Sequence, residues 1–212
     1  VTAAKGFLAA HTAAGIKYQG RDDMAMIYSK VPAVAAGTFT RNVVKAAPVK
    51  WDQQVVGESP FVQAVVMNAG IANACTGQEG MGYCKETADA AGSALGIPSQ
   101  AVLVASTGVI GMQLPMDRLR AGIGAMVPKL EDTRQAAAAA AQAIMTNDTH
   151  KKAAAVTFTV DGKTVTVGGM SKGSGMNHPN MCTMLDFIST DLAISHEPLT
   201  GALSRVVAAT YT

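Results

Sequence analysis

Residues 156–167 read Val156-Thr-Phe-Thr-Val160, Asp161-Gly162, Lys163-Thr-Val-Thr-Val167. Both runs alternate apolar side chains with threonine or lysine, the period of a half-buried strand, and Asp-Gly suits the positive backbone angles of a tight hairpin turn. The stretch predicts an antiparallel hairpin. The segment before it is helical: 131–145 contains an unbroken alanine run from Ala136 to Ala141, and alanine is the strongest helix former. A chain that passes from helix into hairpin is mixed α and β, and the rest of the sequence extends that pattern.

Working back from the hairpin, Pro115-Met-Asp-Arg-Leu-Arg120 opens a helix expected to end before Pro128. Ala101-Val-Leu-Val-Ala105 reads as a strand delivering a turn at Ser106-Thr-Gly108. Glu79 to Leu95 predicts a helix stopping at Gly96 and Pro98. The apolar run Phe61 to Met67 is too short for a helix and predicts a buried strand, closing in a polar loop from Asn68 to Asn73 that is a candidate pocket wall. In the first sixty residues, Met24 to Tyr28 and Val34 to Thr40 predict strands and hairpins, punctuated by Pro32 and Pro48. Working forward, Gly168-Gly169 predicts a turn, a Gly, Ser, Asn, His and Pro loop runs to Asn180, Thr183 to Ile188 reads as a strand, and a helix is expected from Pro198 to Ala209. No internal repeat and no Pro- or Ser-rich linker divides the chain, so one domain over residues 1–212 is expected.

Composition excludes several function classes. Among 212 residues, Lys+Arg 17 against Asp+Glu 15 leaves a net charge of +2, no footprint for nucleic acid. No apolar stretch reaches the roughly 18 residues of a membrane span, and no cleavable leader is convincing behind Val1. The three cysteines, Cys75, Cys84 and Cys182, are odd in number and lack a CxxC spacing, which argues for a reducing compartment, the cytoplasm. The four histidines and these cysteines form no HExxH or CxxC pattern, so no metal site is expected.

One catalytic pattern matches literally. Gly169-Met-Ser171-Lys-Gly173 is G-x-S-x-G, and Asp186 or Asp191 followed by His196 gives a hydrolase order. A nucleophile elbow needs a helix leaving the serine, whereas Pro179 interrupts any helix beginning at this one, so a flexible turn is the preferred reading and a serine hydrolase using Ser171 the alternative. Thr183 differs in kind, standing where a Gly/Asn/Pro loop meets an apolar strand.

Lys172-Gly-Ser-Gly-Met176, Pro179-Asn-Met181, Thr183-Met-Leu185 and Ile188-Ser-Thr-Asp191 together resemble the autoprocessing segment of the ornithine acetyltransferase family, the glutamate N-acetyltransferases of arginine biosynthesis. Gly6-Phe7 with Gly20-Arg-Asp22, Ala35-Ala-Gly-Thr-Phe-Thr40, Ala105-Ser-Thr-Gly-Val-Ile-Gly111 and Ile144-Met-Thr-Asn-Asp-Thr149 are similar to that family too, in the family's order. The resemblance covers essentially the whole chain. It implies an α+β fold, an αββα sandwich like that of N-terminal nucleophile hydrolases but with different connectivity, as in DmpA and the ornithine acetyltransferases.

The same resemblance implies a precursor that cuts itself at the bond Cys182-Thr183, with 1–182 as the α chain and 183–212 as the start of the β chain. Alanine is usual before the cut, and Cys182 is small enough to replace it. Thr183 is then the nucleophile that moves acetyl from N-acetylornithine to glutamate, its freed α-amino group, titrating near roughly 7.7 to 8.0, acting as base for its own hydroxyl. Thr107 and Gly108 match the family's oxyanion-stabilising positions, and Thr146 and Lys172 its substrate-binding positions. No cofactor is implied, while acetyl-CoA stays open as a co-substrate, as in bifunctional members. The implied partners are the small-molecule substrates and the C-terminal half of the same precursor, in an α2β2 heterotetramer, with no nucleic acid and no membrane. A non-catalytic fragment is the remaining alternative.

Overall fold

The computed structural model describes residues 1–173 and 184–210. Two sheets and five α-helices occupy them. The first sheet has the order β1-β2-β3-β4, built from β1 (Phe7–Thr12), β2 (Met24–Ala33), β3 (Val62–Ile71) and β4 (Val102–Val109). Pairing is antiparallel from β1 to β3 and parallel between β3 and β4. The crossover from β3 to β4 is α2 (Gly77–Leu95), which ends on the left-handed Gly96, as its sequence predicts. The second sheet is the antiparallel meander β5 (Lys152–Val160), β6 (Lys163–Lys172), β7 (Leu185–Thr190). Its first turn is the expected one, with φ of 49° at Asp161 and 74° at Gly162.

Alternation along the strands of the first sheet gives it two buried faces. Met24, Met26, Val66, Val102 and Val104 pack under α2 and α3 (Met116–Met126) through Ala88, Ala91, Leu119 and Ile123. The opposite face, with Ala9, Ala25, Met67 and Ala105, is covered by α4 (Arg134–Ala143) and by Met170, Leu185 and Phe187 of the second sheet. Helices, first sheet and second sheet are thus stacked as three successive layers of the αββα order. Thr133 caps α4, its Oγ1 accepting from the Ala136 amide at 3.1 Å. Small alanine side chains let this helix lie close to the strands.

Several expectations are corrected. The segment Val34 to Thr40 is not a strand, because β2 makes its last rung at Ala33 opposite Val62 and the ladder on that side ends there. Pro48 does not break structure but sits in the first turn of α1 (Ala47–Glu58), where its missing N–H has no helical partner to lose. The run 68–71 continues β3 and Ser106 to Gly108 continue β4, since each supplies the other with parallel pairing as far as Ile71↔Val109. Gly168-Gly169 is no turn: both residues pair on two sides in the central strand β6. The strand expected at 183–188 is β7 at 185–190, and the last helix, α5 (His196–Thr210), starts two residues earlier than Pro198. Residues Cys182 and Thr183 lie outside the described residues.

Candidate active site

The carboxyl ends of β3 and β4 bring two glycines side by side, Gly70 paired with Gly108. Their φ angles are 113° and 134°, a region that side chains disfavour. A Cβ on Gly108 would lie 2.2 Å from the carbonyl carbon of Gly70, so no other residue fits there without parting the strands. Thr107, the preceding residue, is buried and pairs with Ala69. The rung before is closed by side chains: Ser106 Oγ donates to Asn68 Oδ1 at 2.7 Å, and Asn68 Nδ2 donates to the Ile71 carbonyl at 2.9 Å. Thr107 and Gly108 therefore stand on a braced strand end rather than on a free turn.

The second half of the site is electrostatic. Lys172, the last residue of β6, is only 4% exposed, and burial of an ammonium is costly unless a partner meets it. Its Nζ donates to the Gly173 carbonyl at 2.7 Å and lies 3.8 Å from Asp148 Oδ2. The Asp148 carboxylate is 2% exposed and gathers the loop that leaves α4. It accepts from the Gly173 amide at 2.8 Å, from Lys152 Nζ at 3.1 Å and from the Thr146 amide at 3.4 Å. Burial pushes the Asp148 carboxyl up, but these hydrogen bonds and the Lys172 charge outweigh it and hold the group below the ordinary carboxylate range.

Thr146 and Lys172 are thus brought together, through an aspartate to which the sequence reading assigned no role. Asp148 was visible as an acid in the Thr-Asn-Asp-Thr loop, but burial alone separates it from a solvated loop acid. Ala105, Met170 and Ile144 belong to one hydrophobic cluster, and Thr107, Lys172 and Thr146 each follow one of them by two residues. Period two keeps Thr107 and Lys172 on the strand faces that enter this cluster. Lys172 also pairs with Leu185, the first residue of β7.

Ser171 is neither in a turn nor on an elbow. It sits inside β6 opposite Lys152 and Asp186, and its hydroxyl donates to the Leu185 carbonyl at 3.4 Å. Asp191 is engaged in holding the backbone, accepting from the Thr166 amide at 2.8 Å and the Lys5 amide at 3.0 Å. Among the described residues, no group of three or more His, Cys, Asp and Glu side chains converges to hold a metal. No helix among them is long and apolar enough to cross a membrane. Cys84 is fully buried, and burial first, with the Asp52 charge second, pushes its thiol up to about 12.

Comparison with known proteins shows what the chain is similar to. The ArgJ family model matches residues 8–212. The arginine biosynthesis bifunctional protein ArgJ of Symbiobacterium thermophilum is 51% identical over 205 residues, covering 96% of this chain and 50% of that protein. The crystal structure of the Bacillus halodurans ArgJ protein is similar at a TM-score of 0.81 and 44% identity, covering 87% of this chain and 94% of that one. That of ornithine acetyltransferase from Mycobacterium tuberculosis, complexed with ornithine, is similar at 0.76 and 41%, covering 87% and 95%. The chain spans about half the length of the curated relatives it matches. With the family model matching nearly the whole chain and the fold shared with ArgJ structures, the chain belongs to the ArgJ family.

Proposed function

We propose that the complete protein is a bifunctional arginine-biosynthesis enzyme of the cytoplasm that moves the acetyl group of N-acetylornithine to glutamate through an acetyl-Thr183 intermediate. The observation that carries this reading is the buried Lys172 beside Thr146, on the rung that pairs with Leu185 two residues after Thr183. A buried cation suits a substrate that bears an α-carboxylate. The precursor first cleaves itself at Cys182-Thr183, which frees the threonine amine. The Thr183 hydroxyl then attacks the acetyl carbonyl while that amine takes its proton. Negative charge developing on the carbonyl oxygen is met at Thr107 and Gly108, and collapse expels ornithine with the proton returned to its amine. Glutamate's amine attacks the acetyl ester, regenerating the hydroxyl. No cofactor enters these steps, and acetyl-CoA serves as a second acetyl donor to glutamate.

The partner in this reading is the C-terminal half of the same precursor, in an α2β2 assembly. Support comes from the outward side of the second sheet, where β5 is exposed along its whole length and Val156 and Ile188 are more than half exposed. A groove of about 490 Å³ runs over it between Lys152, Val156, Ser171 and Ile188. The decisive experiment is Thr183→Ala in the complete precursor, which is expected to abolish both self-cleavage and acetyl transfer, with Thr183→Ser retaining part of each. Cleavage at this bond in the alanine variant, or silencing by Ser171→Ala instead, overturns the assignment.

A further inference from the structure

Asp148 makes contacts that converge on the candidate site. Its Oδ1 holds the Gly173 amide at 2.8 Å, at the exit of β6, and Lys152 Nζ at 3.1 Å. Its Oδ2 faces the Lys172 ammonium at 3.8 Å and the Thr146 amide at 3.4 Å. One carboxylate therefore brackets two residues matched to substrate binding and the end of the strand that leads toward the cleavage segment. Gly173 fits against it closely: a Cβ there would come within 2.7 Å of Asp148 Oδ1 and 2.8 Å of Lys152 Nζ. Lys172 and Asp148 are both nearly sealed from solvent, so the ammonium has little water to turn to if the carboxylate is removed.

We propose that Asp148 is the positioning residue of this site, aiming the Lys172 ammonium at the substrate carboxylate and fixing Thr146 beside it. The proposal rests on the reading of Lys172 as the carboxylate-binding group. A buried lysine without its counter-charge withdraws toward other acceptors or loses its proton, and in either state it binds an anion poorly. Asp148 itself touches no reacting atom and acts through Lys172. A merely structural clip between α4 and β6 is the competing account, and it leaves no reason for the effect to pass through one ammonium.

The test is made in the complete, processed protein. Asp148→Asn removes the charge and keeps one accepting oxygen, enough for the Gly173 amide or the Thr146 amide but not for both. It is expected to raise KM for N-acetylornithine and for glutamate about tenfold or more, with kcat falling less than KM rises. Lys172→Ala is expected to raise KM as well, and the double variant to be no worse than Lys172→Ala alone, because both changes act on the same ammonium. Asp148→Glu, which restores the charge, is expected to recover part of the loss. Gly173→Ala crowds the carboxylate without removing it and is expected to shift KM in the same direction by less, which keeps the idea testable if the aspartate variants fold poorly. KM unchanged in Asp148→Asn beside a raised KM in Lys172→Ala overturns the positioning role alone, as do effects that multiply in the double variant. KM unchanged in Lys172→Ala overturns the substrate reading of Lys172 and the proposal with it.

Discussion

Gly108 shows how a single residue becomes irreplaceable. Its φ of 134° and the 2.2 Å approach of the Gly70 carbon leave no volume for any side chain, so the strand end that carries Thr107 has one available shape. Preorganisation of that kind lets a group stabilise charge as it develops rather than bind the ground state. Thr107→Ala in the complete protein is accordingly expected to lower kcat by on the order of a hundredfold to a thousandfold, with much less change in KM. Steady-state kinetics on folded, processed enzyme checks this, and an unchanged kcat moves the oxyanion site elsewhere. Resemblance marks Thr107 and Gly108 in the sequence, while the local pattern predicts only a turn after a strand there. Their extended pairing with Ala69 and Gly70 depends on a partner strand some forty residues away, which local pattern does not register.

At the scale of elements, α1 seals the edge of the first sheet. β4 is an outer strand whose far side would otherwise present unpaired amides and carbonyls. Trp51 Nε1 donates to the Val102 carbonyl at 3.0 Å, and Asp52 Oδ1 accepts from the Val104 amide at 2.9 Å. Two residues of one helical turn thereby stand in for a missing strand, just upstream of Thr107. Burial pushes the Asp52 carboxyl up to about 8, against the smaller downward pull of the Val104 amide. An unfolded aspartate titrates near roughly 3.9. Between these values the folded chain holds a proton that the unfolded chain has released, so this group's contribution to stability is full below the lower value and is lost as pH rises through the upper one. Asp52→Asn keeps the acceptor for Val104 and has no proton to lose. Its melting temperature relative to the parent is therefore expected to rise from pH 5 to pH 8.5, as thermal unfolding at the two pH values would measure. A constant difference would remove the carboxyl from the account.

For the whole molecule, two buried faces meet on the first sheet, while the second sheet buries Gly168 and Met170 of β6 on one face and leaves the other more open, with β5 exposed on both. On that open side Val156 is 60% and Ile188 53% exposed, and in α5 the buried residue is Val207 while Val206 is 52% exposed. Apolar surface of this extent favours association. On the proposed reading, residues 1–212 expressed alone are expected to be poorly soluble or inactive, and co-expression of the proposed C-terminal half to restore both properties. Size-exclusion chromatography with an acetyl-transfer assay decides it: a soluble, monomeric chain that transfers acetyl unaided refutes the expectation.

The local sequence determined the features whose causes are local. The Asp161-Gly162 hairpin follows from a turn that needs positive φ, α4 from its run of alanines, and the end of α2 from Gly96. Motif spacing, read as a resemblance, also selected Thr107, Gly108, Thr146 and Lys172 as candidates. Only the tertiary structure decided what depends on distant neighbours. It placed Pro48 at a helix start instead of a break, carried Gly168 and Gly169 through a central strand, and made an edge clamp of Asp52. It also turned Asp148 from a loop acid into the counter-charge of a buried lysine. Turns and helix ends are set by backbone angles within a few residues, whereas burial and ion pairing are set by chain segments that meet only once the sheets have stacked.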